Sequence, residues 1–214
     1  YARDKDLITL CEDKIIQIYV DKDMLYNADG NTQLLATNRV LGTAEPFRGN
    51  FGISKNPESF AAESFRAYFT DKQRGAVMRL SMDGLTPISD AGMHDFFRDN
   101  LKIGEKLYGS YDAHKGDYNL TIFQNRSNAS SRILTSAPAP GPQVYGCTDP
   151  NASNYNPLAT TDDGSCVIPL YNGQTVSYNE KSKGWTSFKS FIPEFGLSSV
   201  NQYYTMNSGE LWKH

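Results

Sequence analysis

Short apolar runs alternate with polar turns along nearly the whole chain, the pattern of β-hairpins rather than long helices. Leu7–Leu10 and Lys14–Val20 flank Cys11-Glu12-Asp13. A second turn, Asn27-Ala28-Asp29-Gly30-Asn31, lies between Met24-Leu25-Tyr26 and Gln33-Leu34-Leu35. Ser64–Thr70 and Ala76–Ser81 read as strands around Asp71-Lys72-Gln73-Arg74-Gly75. Leu107–Asp112 pairs with Tyr118–Phe123 around His114-Lys115-Gly116, and Val176–Tyr178 with Trp185–Phe191 around Asn179–Gly184. Tyr203-Tyr204-Thr205 and Glu210-Leu211-Trp212 flank Asn207-Ser208-Gly209. Asn50–Pro57 reads as a loop. Its end, Asn56-Pro57-Glu58, predicts one short helical turn with Asn as N-cap and Pro in the first position. One segment, about 90–102, has helical period. Met93, Phe96, Phe97 and Leu101 fall on one face, Asp95, Arg98, Asp99 and Lys102 on the other, and Ser89-Asp90 offers a cap. The predicted class is mainly all-β, with one short amphipathic helix packed on the strands.

Three hairpins share an outline: an aromatic residue, Asp or Asn, a few polar residues, Gly, then apolar residues. The pairs are Asp71/Gly75, Asp112/Gly116 and Asn179/Gly184. The Asp or Asn side chain can bond its own turn, and Gly can adopt positive φ. Asp71 and Asp112 lie 41 residues apart, Asp112 and Asn179 67. The longer interval exceeds the shorter by close to the length of a Gln143–Ile168 insertion. A period of about 40 suits propeller-like blades, with a β-sandwich as the competing architecture. Five regions follow: 1–50 with N-terminal hairpins, 51–136 with hairpins plus the helix, a Pro-rich connector at 137–142, a Cys-stapled insertion at 143–168, and C-terminal hairpins at 169–214.

Composition narrows the function. The 214 residues carry 21 Lys and Arg against 24 Asp and Glu, a formal charge of −3. Nucleic acid is therefore not expected as a partner, since phosphate binding needs a basic stripe. No apolar run is long enough for a membrane span. The chain starts at Tyr1 with no signal-like segment, which reads as a processed protein, a fragment or part of a longer chain. Aromatic residues make up 12% and Tyr leads, which favours strands.

Of three cysteines, Cys11 sits in a strand-like run and reads as a small buried hydrophobe. Cys147 and Cys166 bracket a segment too polar to build its own core. A disulfide there would stabilise it by about 3 kcal/mol, and it implies a location outside a reducing cytosol. Two free thiols are the alternative. Within the bracket, Asp149, Asn151 and Ser153 have the oxygen ligands of an opening calcium loop, with Asp162 and Asp163 brought close by the staple. The competing reading makes them turn-forming residues, and no other cofactor is expected. His94, His114 and His214 have no recognisable nucleophile beside them, and neither a nucleophile elbow nor a phosphate-binding loop occurs. Four N-glycosylation triplets, at Asn119, Asn125, Asn128 and Asn151, carry no weight in an Asn-rich chain.

The stretches Phe51–Ala61, Arg66–Asp71, Arg74–Thr86, Ile88–Met93, Gly109–Asp112 and Gly184–Glu194 resemble a large virion structural protein of tailed phages, notably T4-like marine cyanophages. They are more distantly similar to propeller-bearing nozzle or stabilisation proteins of podovirus tails. The resemblance implies a non-enzymatic scaffold in a tail, baseplate or tail-attached fibre of an extracellular particle. It implies other virion proteins as partners, a ring or trimer of like copies, and contact with a host surface receptor. It transfers no catalytic residue. Gly146–Pro150, Ala152, Asn154-Tyr155 and Asp162–Cys166 resemble a separate repeat of bacterial surface proteins. Two other functions compete: a secreted or surface adhesin, and a propeller-based glycan-degrading enzyme.

Overall fold

Short turns pair most strands with their sequence neighbours, and the strands Asp117–Asn125 and Tyr171–Asn179 pair across a long intervening segment, so spatial order follows chain order. The computed structural model describes residues 1–3, 6–27, 29–125, 143–149, 152, 154–166 and 171–214. Four sheets form. The first holds β1 (Ala2–Arg3), β2 (Asp6–Leu10), β3 (Ile15–Tyr26) and β4 (Thr32–Pro46). The second holds β5 (Ala61–Glu63), β6 (Arg66–Asp71), β7 (Ala76–Ser81) and β8 (Gly84–Pro87). The third holds β9 (Lys106–Asp112), β10 (Asp117–Asn125), β11 (Tyr171–Asn179) and β12 (Gly184–Lys189). The fourth has three strands: β13 (Phe195–Ser199), β14 (Gln202–Asn207) and β15 (Glu210–Lys213). The class is all-β. The α-helix α1, His94–Ile103, joins the second sheet to the third. Among the described residues the four sheets stay separate, with no strand pairing between them.

The chain divides into two units, Tyr1–Ile122 with Gln174–His214, and Phe123–Gly173. In the first unit, consecutive sheets stack face to face. Ile8 and Ile15 of the first sheet pack with Ala67, Phe69, Met78 and Leu80 of the second. The alternate residues of the second sheet, Tyr68 and Val77, face the other way. They meet Leu107, Tyr118, Leu120, Val176 and Tyr178 of the third, together with Phe97 and Leu101 of α1. The second sheet is thus covered on both faces, which is why β6 and β7 read as nearly unbroken apolar runs rather than alternating ones. Each fully buried Phe or Leu there contributes about 2–3 kcal/mol relative to exposure.

The fourth sheet meets the third through small groups. Ser110 Oγ and Tyr203 OH share a 2.6 Å hydrogen bond, and Ser198 Oγ donates to Tyr111 O at 2.9 Å. Gly196 opens the space for this approach, because a Cβ there would lie 2.7 Å from Ser110 Oγ.

Three local expectations need correction. The helix starts at His94 with Met93 in the cap position and no side-chain cap. Ser89 and Asp90 belong to a separate single turn, Ile88–Asp90, and Gly92 breaks the chain between the two with φ +84°. The turn Pro57–Ser59 forms with Pro in its first position, but the Asn56 side chain does not cap it. The second predicted hairpin is not a separate unit either. Its strands are the outer parts of β3 and β4, which run on as one ribbon with register shifts around Val20. Beyond Ile18, β3 has left β2 and pairs with β4 alone.

Candidate functional site

Each of the three repeated turns is closed by its own Asp or Asn side chain. Asp71 is fully buried at the end of β6. Its Oδ1 accepts from Arg74 N at 3.0 Å, and its Oδ2 accepts from Arg74 Nη1 at 3.0 Å and Gly52 N at 3.1 Å. One carboxylate therefore closes its own turn and pins the 50–57 loop. Gly75 has φ +66°, and a Cβ on it would stand 2.7 Å from Arg98 Cα of α1. Asp112 works locally, with Oδ1 accepting from His114 N and Lys115 N at 3.0 and 3.2 Å, and Gly116 has φ +72°. Asn179 Oδ1 accepts from Lys181 N and Ser182 N, both at 3.0 Å, while its Nδ2 donates to Asp117 Oδ1 at 2.7 Å.

The third turn differs from expectation at its glycine. Lys183 takes the left-handed backbone, φ +51°, and Gly184 begins the strand outside that region. The three turns also hold unlike places. They are the middle connection of the second sheet and the first and last connections of the third. The intervals of 41 and 67 residues therefore do not join equivalent positions, because this turn chemistry suits any hairpin.

A charged cluster that sequence reasoning missed ties the second sheet to the third. Glu180 Oε1 accepts from Tyr68 OH at 2.6 Å and from Arg79 Nε at 2.8 Å. Arg66 Nε lies 3.5 Å from Glu180 Oε2, and Arg66 Nη1 3.1 Å from Glu63 Oε2. The Tyr68 ring stacks between Tyr111 and Tyr118, with centroids 5.7 and 4.9 Å away. Tyr118 OH donates to the Ser59 carbonyl at 2.8 Å. Burial, then the hydrogen bond to Glu180, pushes the Tyr68 phenol far above its ordinary range, and burial does the same for Tyr118. Both stay neutral donors at working pH. The usable signal was Arg79, a charge in the middle of the otherwise apolar run Ala76–Leu80. Such a residue needs a partner from another element.

The second unit contains the Cys147–Cys166 disulfide, with S–S 2.12 Å and Cα atoms 4.7 Å apart. Cys11 is free and half-buried. Of the calcium candidates, Asn151 and Ser153 lie outside the described residues. Asp162 Oδ1 accepts from Gly164 N at 3.1 Å and Asp163 Oδ1 from Ser165 N at 2.9 Å, which is turn closure. The Ser165 hydrogen bonds hold the Asp163 carboxyl below its usual range. The Asp149 carbonyl accepts from Ala152 N at 3.0 Å. Among the described residues, no group of three or more His, Cys, Asp or Glu side chains is placed to hold a metal. The 137–142 connector, like Asn128, also lies outside them. Asn119 is buried and accepts from Ser177 Oγ, which takes it out of reach of modification.

The histidines are dispersed. His94 is exposed on α1 and His114 sits in the β9–β10 turn. His214 shares a 2.7 Å hydrogen bond with Thr205 Oγ1 and lies against the Phe191 ring, centroids 4.2 Å apart. Burial, then repulsion from Lys115, lowers its pKa. It lines an open groove of about 590 Å³ with Phe191, Thr205, Asn207, Glu210 and Trp212. No helix among the described residues is long and apolar enough to cross a membrane.

Comparison with known proteins gives short matches. No family model matches the chain. A 29-residue stretch is 59% identical to ribulose bisphosphate carboxylase/oxygenase activase of Spinacia oleracea, covering 14% of this chain and 6% of that protein. A 26-residue stretch is 65% identical to activase 1 of Larrea tridentata, covering 12% and 6%. The chain therefore spans a small fraction of these relatives, and their activity does not carry over.

Proposed function

We propose that this chain is a structural component of a tailed-phage virion, in the tail, baseplate or a tail-attached fibre, and that its sheets are propeller-type blades. The observation that carries the reading is the mode of stacking. Consecutive sheets are tied by directional contacts, Arg3 Nη1 to the Ser81 carbonyl, Glu180 to Tyr68 and Arg79, and Ser110 to Tyr203, with apolar packing added at the first two junctions. Polar ties of this kind specify one arrangement at modest gain in stability, which suits a rigid part of an assembly. The resemblance of segments in 51–93, 109–112 and 184–194 to phage virion proteins points the same way. The disulfide agrees with an extracellular particle. Neighbouring virion proteins, like copies in a ring or trimer, and a host surface are the proposed partners.

The test is to map the chain in purified native particles by mass determination and imaging. A fixed copy number at one place in a tail supports the proposal. Recovery from a cell envelope or secreted filament without phage proteins would replace it with the adhesin reading. Polysaccharide cleavage abolished by substituting a carboxylate pair would replace it with the enzyme reading.

A further inference from the structure

Among the described residues of the first unit, the stack of sheets ends on either side in a face that carries apolar rungs. Tyr203, Thr205 and Gly196 share the face of the fourth sheet that meets Ser110. Alternation along the strands then puts two rungs on the opposite face, Phe195–Met206–Leu211 and Leu197–Tyr204–Lys213. The first of these rungs is 55%, 38% and 62% exposed. At the other end, Ile8 and Ile15 turn toward the second sheet. The reverse face of the first sheet carries the rungs Leu7–Ile18–Ala44 and Thr9–Ile16–Pro46. Leu7, Ile16 and Ile18 are half-buried and stand outside the apolar cluster.

These leftover faces are unlike each other. One is the side on which a following sheet would stack, the other the side on which a preceding sheet would. Every junction inside the chain joins one face of each kind. We propose that copies of this chain join head to tail, the outer face of the fourth sheet of one copy stacking on the outer face of the first sheet of the next. The contact continues the stacking already present between consecutive sheets. It is heterologous, so it closes into a ring if the rotation per copy permits. The inference deepens the scaffold reading and rests on it. Three strands by five residues span about 14 by 17 Å, less than a standard interface, so association is expected to be weak and concentration-dependent.

The experiment is sedimentation velocity of the whole chain from about 1 to 200 µM. Wild type should shift to larger species as concentration rises. Leu211→Glu blocks one end and Ile18→Glu the other, and each alone should weaken association at least tenfold. Mixing the two variants should restore a 1:1 dimer through the remaining intact pair of ends. Val200→Glu, exposed and off both faces, serves as the control and should leave association unchanged. A wild-type chain that stays monomeric throughout, or association that survives Leu211→Glu, overturns the inference. Phe195→Ser repeats the first block without a charge. Fixed copies in particles combined with a monomeric isolated chain would sink the end-to-end contact and leave the scaffold reading standing. Self-association of a chain absent from particles would do the reverse.

Discussion

Replacing the glycine of each repeated turn by alanine separates backbone conformation from close packing. Gly75 and Gly116 both have left-handed φ, +66° and +72°. An alanine in that region costs about 1–2 kcal/mol. At Gly116 the added Cβ meets nothing nearer than the Tyr111 hydroxyl at 3.8 Å, so that is the whole cost. At Gly75 the Cβ would also press on the helix backbone, 2.7 Å from Arg98 Cα and 3.3 Å from its carbonyl oxygen. Backbone cannot swing aside as a side-chain tip can, and forcing α1 away adds about 1–3 kcal/mol. Gly75→Ala should therefore cost about 2–5 kcal/mol. Gly184 is outside the left-handed region, and its Cβ would meet only the Ser182 carbonyl at 3.8 Å. Gly184→Ala should be neutral or stabilising by up to about 1 kcal/mol through the unfolded chain. Urea denaturation followed by Trp185 fluorescence gives the three values, since that ring packs against the apolar cluster. The reasoning is wrong if Gly184→Ala costs as much as Gly75→Ala, or if Gly75→Ala costs no more than Gly116→Ala.

Glu180→Gln should destabilise by about 2–4 kcal/mol, because Arg79 and Arg66 lose their shared counter-charge in a largely buried setting. Adding Arg79→Met should return part of that loss in the same denaturation assay, and strict additivity of the two would argue against the pairing. The pKa of His214 is depressed in the folded state. Its contribution to stability is thus complete above the unfolded value of about 6.5 and declines as pH falls through the folded value. Melting temperature should drop on acidification below that point, and His214→Gln should flatten the slope. Cys166→Ser should speed proteolysis within 143–166 while the sheet-stack unit resists as before, and equal cleavage of both regions would count against their independence.

Local chemistry was readable from the chain because its partners sit a few residues away. An Asp or Asn before a short polar run bonds its own turn, as at Asp71, Asp112 and Asn179. Alternating apolar residues pair across such turns, so the hairpins around Asp71, Asp112, Asn179 and Asn207, the all-β class and the preferred Cys147–Cys166 staple were legible, while β1, β5, β8 and β13 were not anticipated. The start of α1 was misplaced because a plausible cap at Ser89-Asp90 is separated from the helix by the left-handed Gly92. The choice between Lys183 and Gly184 for the left-handed position depends on register within the hairpin, which composition does not specify.

What the tertiary structure alone decided lies between the sheets. Glu180 meets Tyr68, 112 residues away in sequence, only because the third sheet stacks on the second. Arg98 presses on Gly75 only because α1 crosses that turn. Stacking order also determined which apolar faces are buried and which are left open at the two ends. Hydrogen bonds within a turn are satisfied by neighbours along the chain, whereas buried charge and close backbone approach are set by which sheet faces meet.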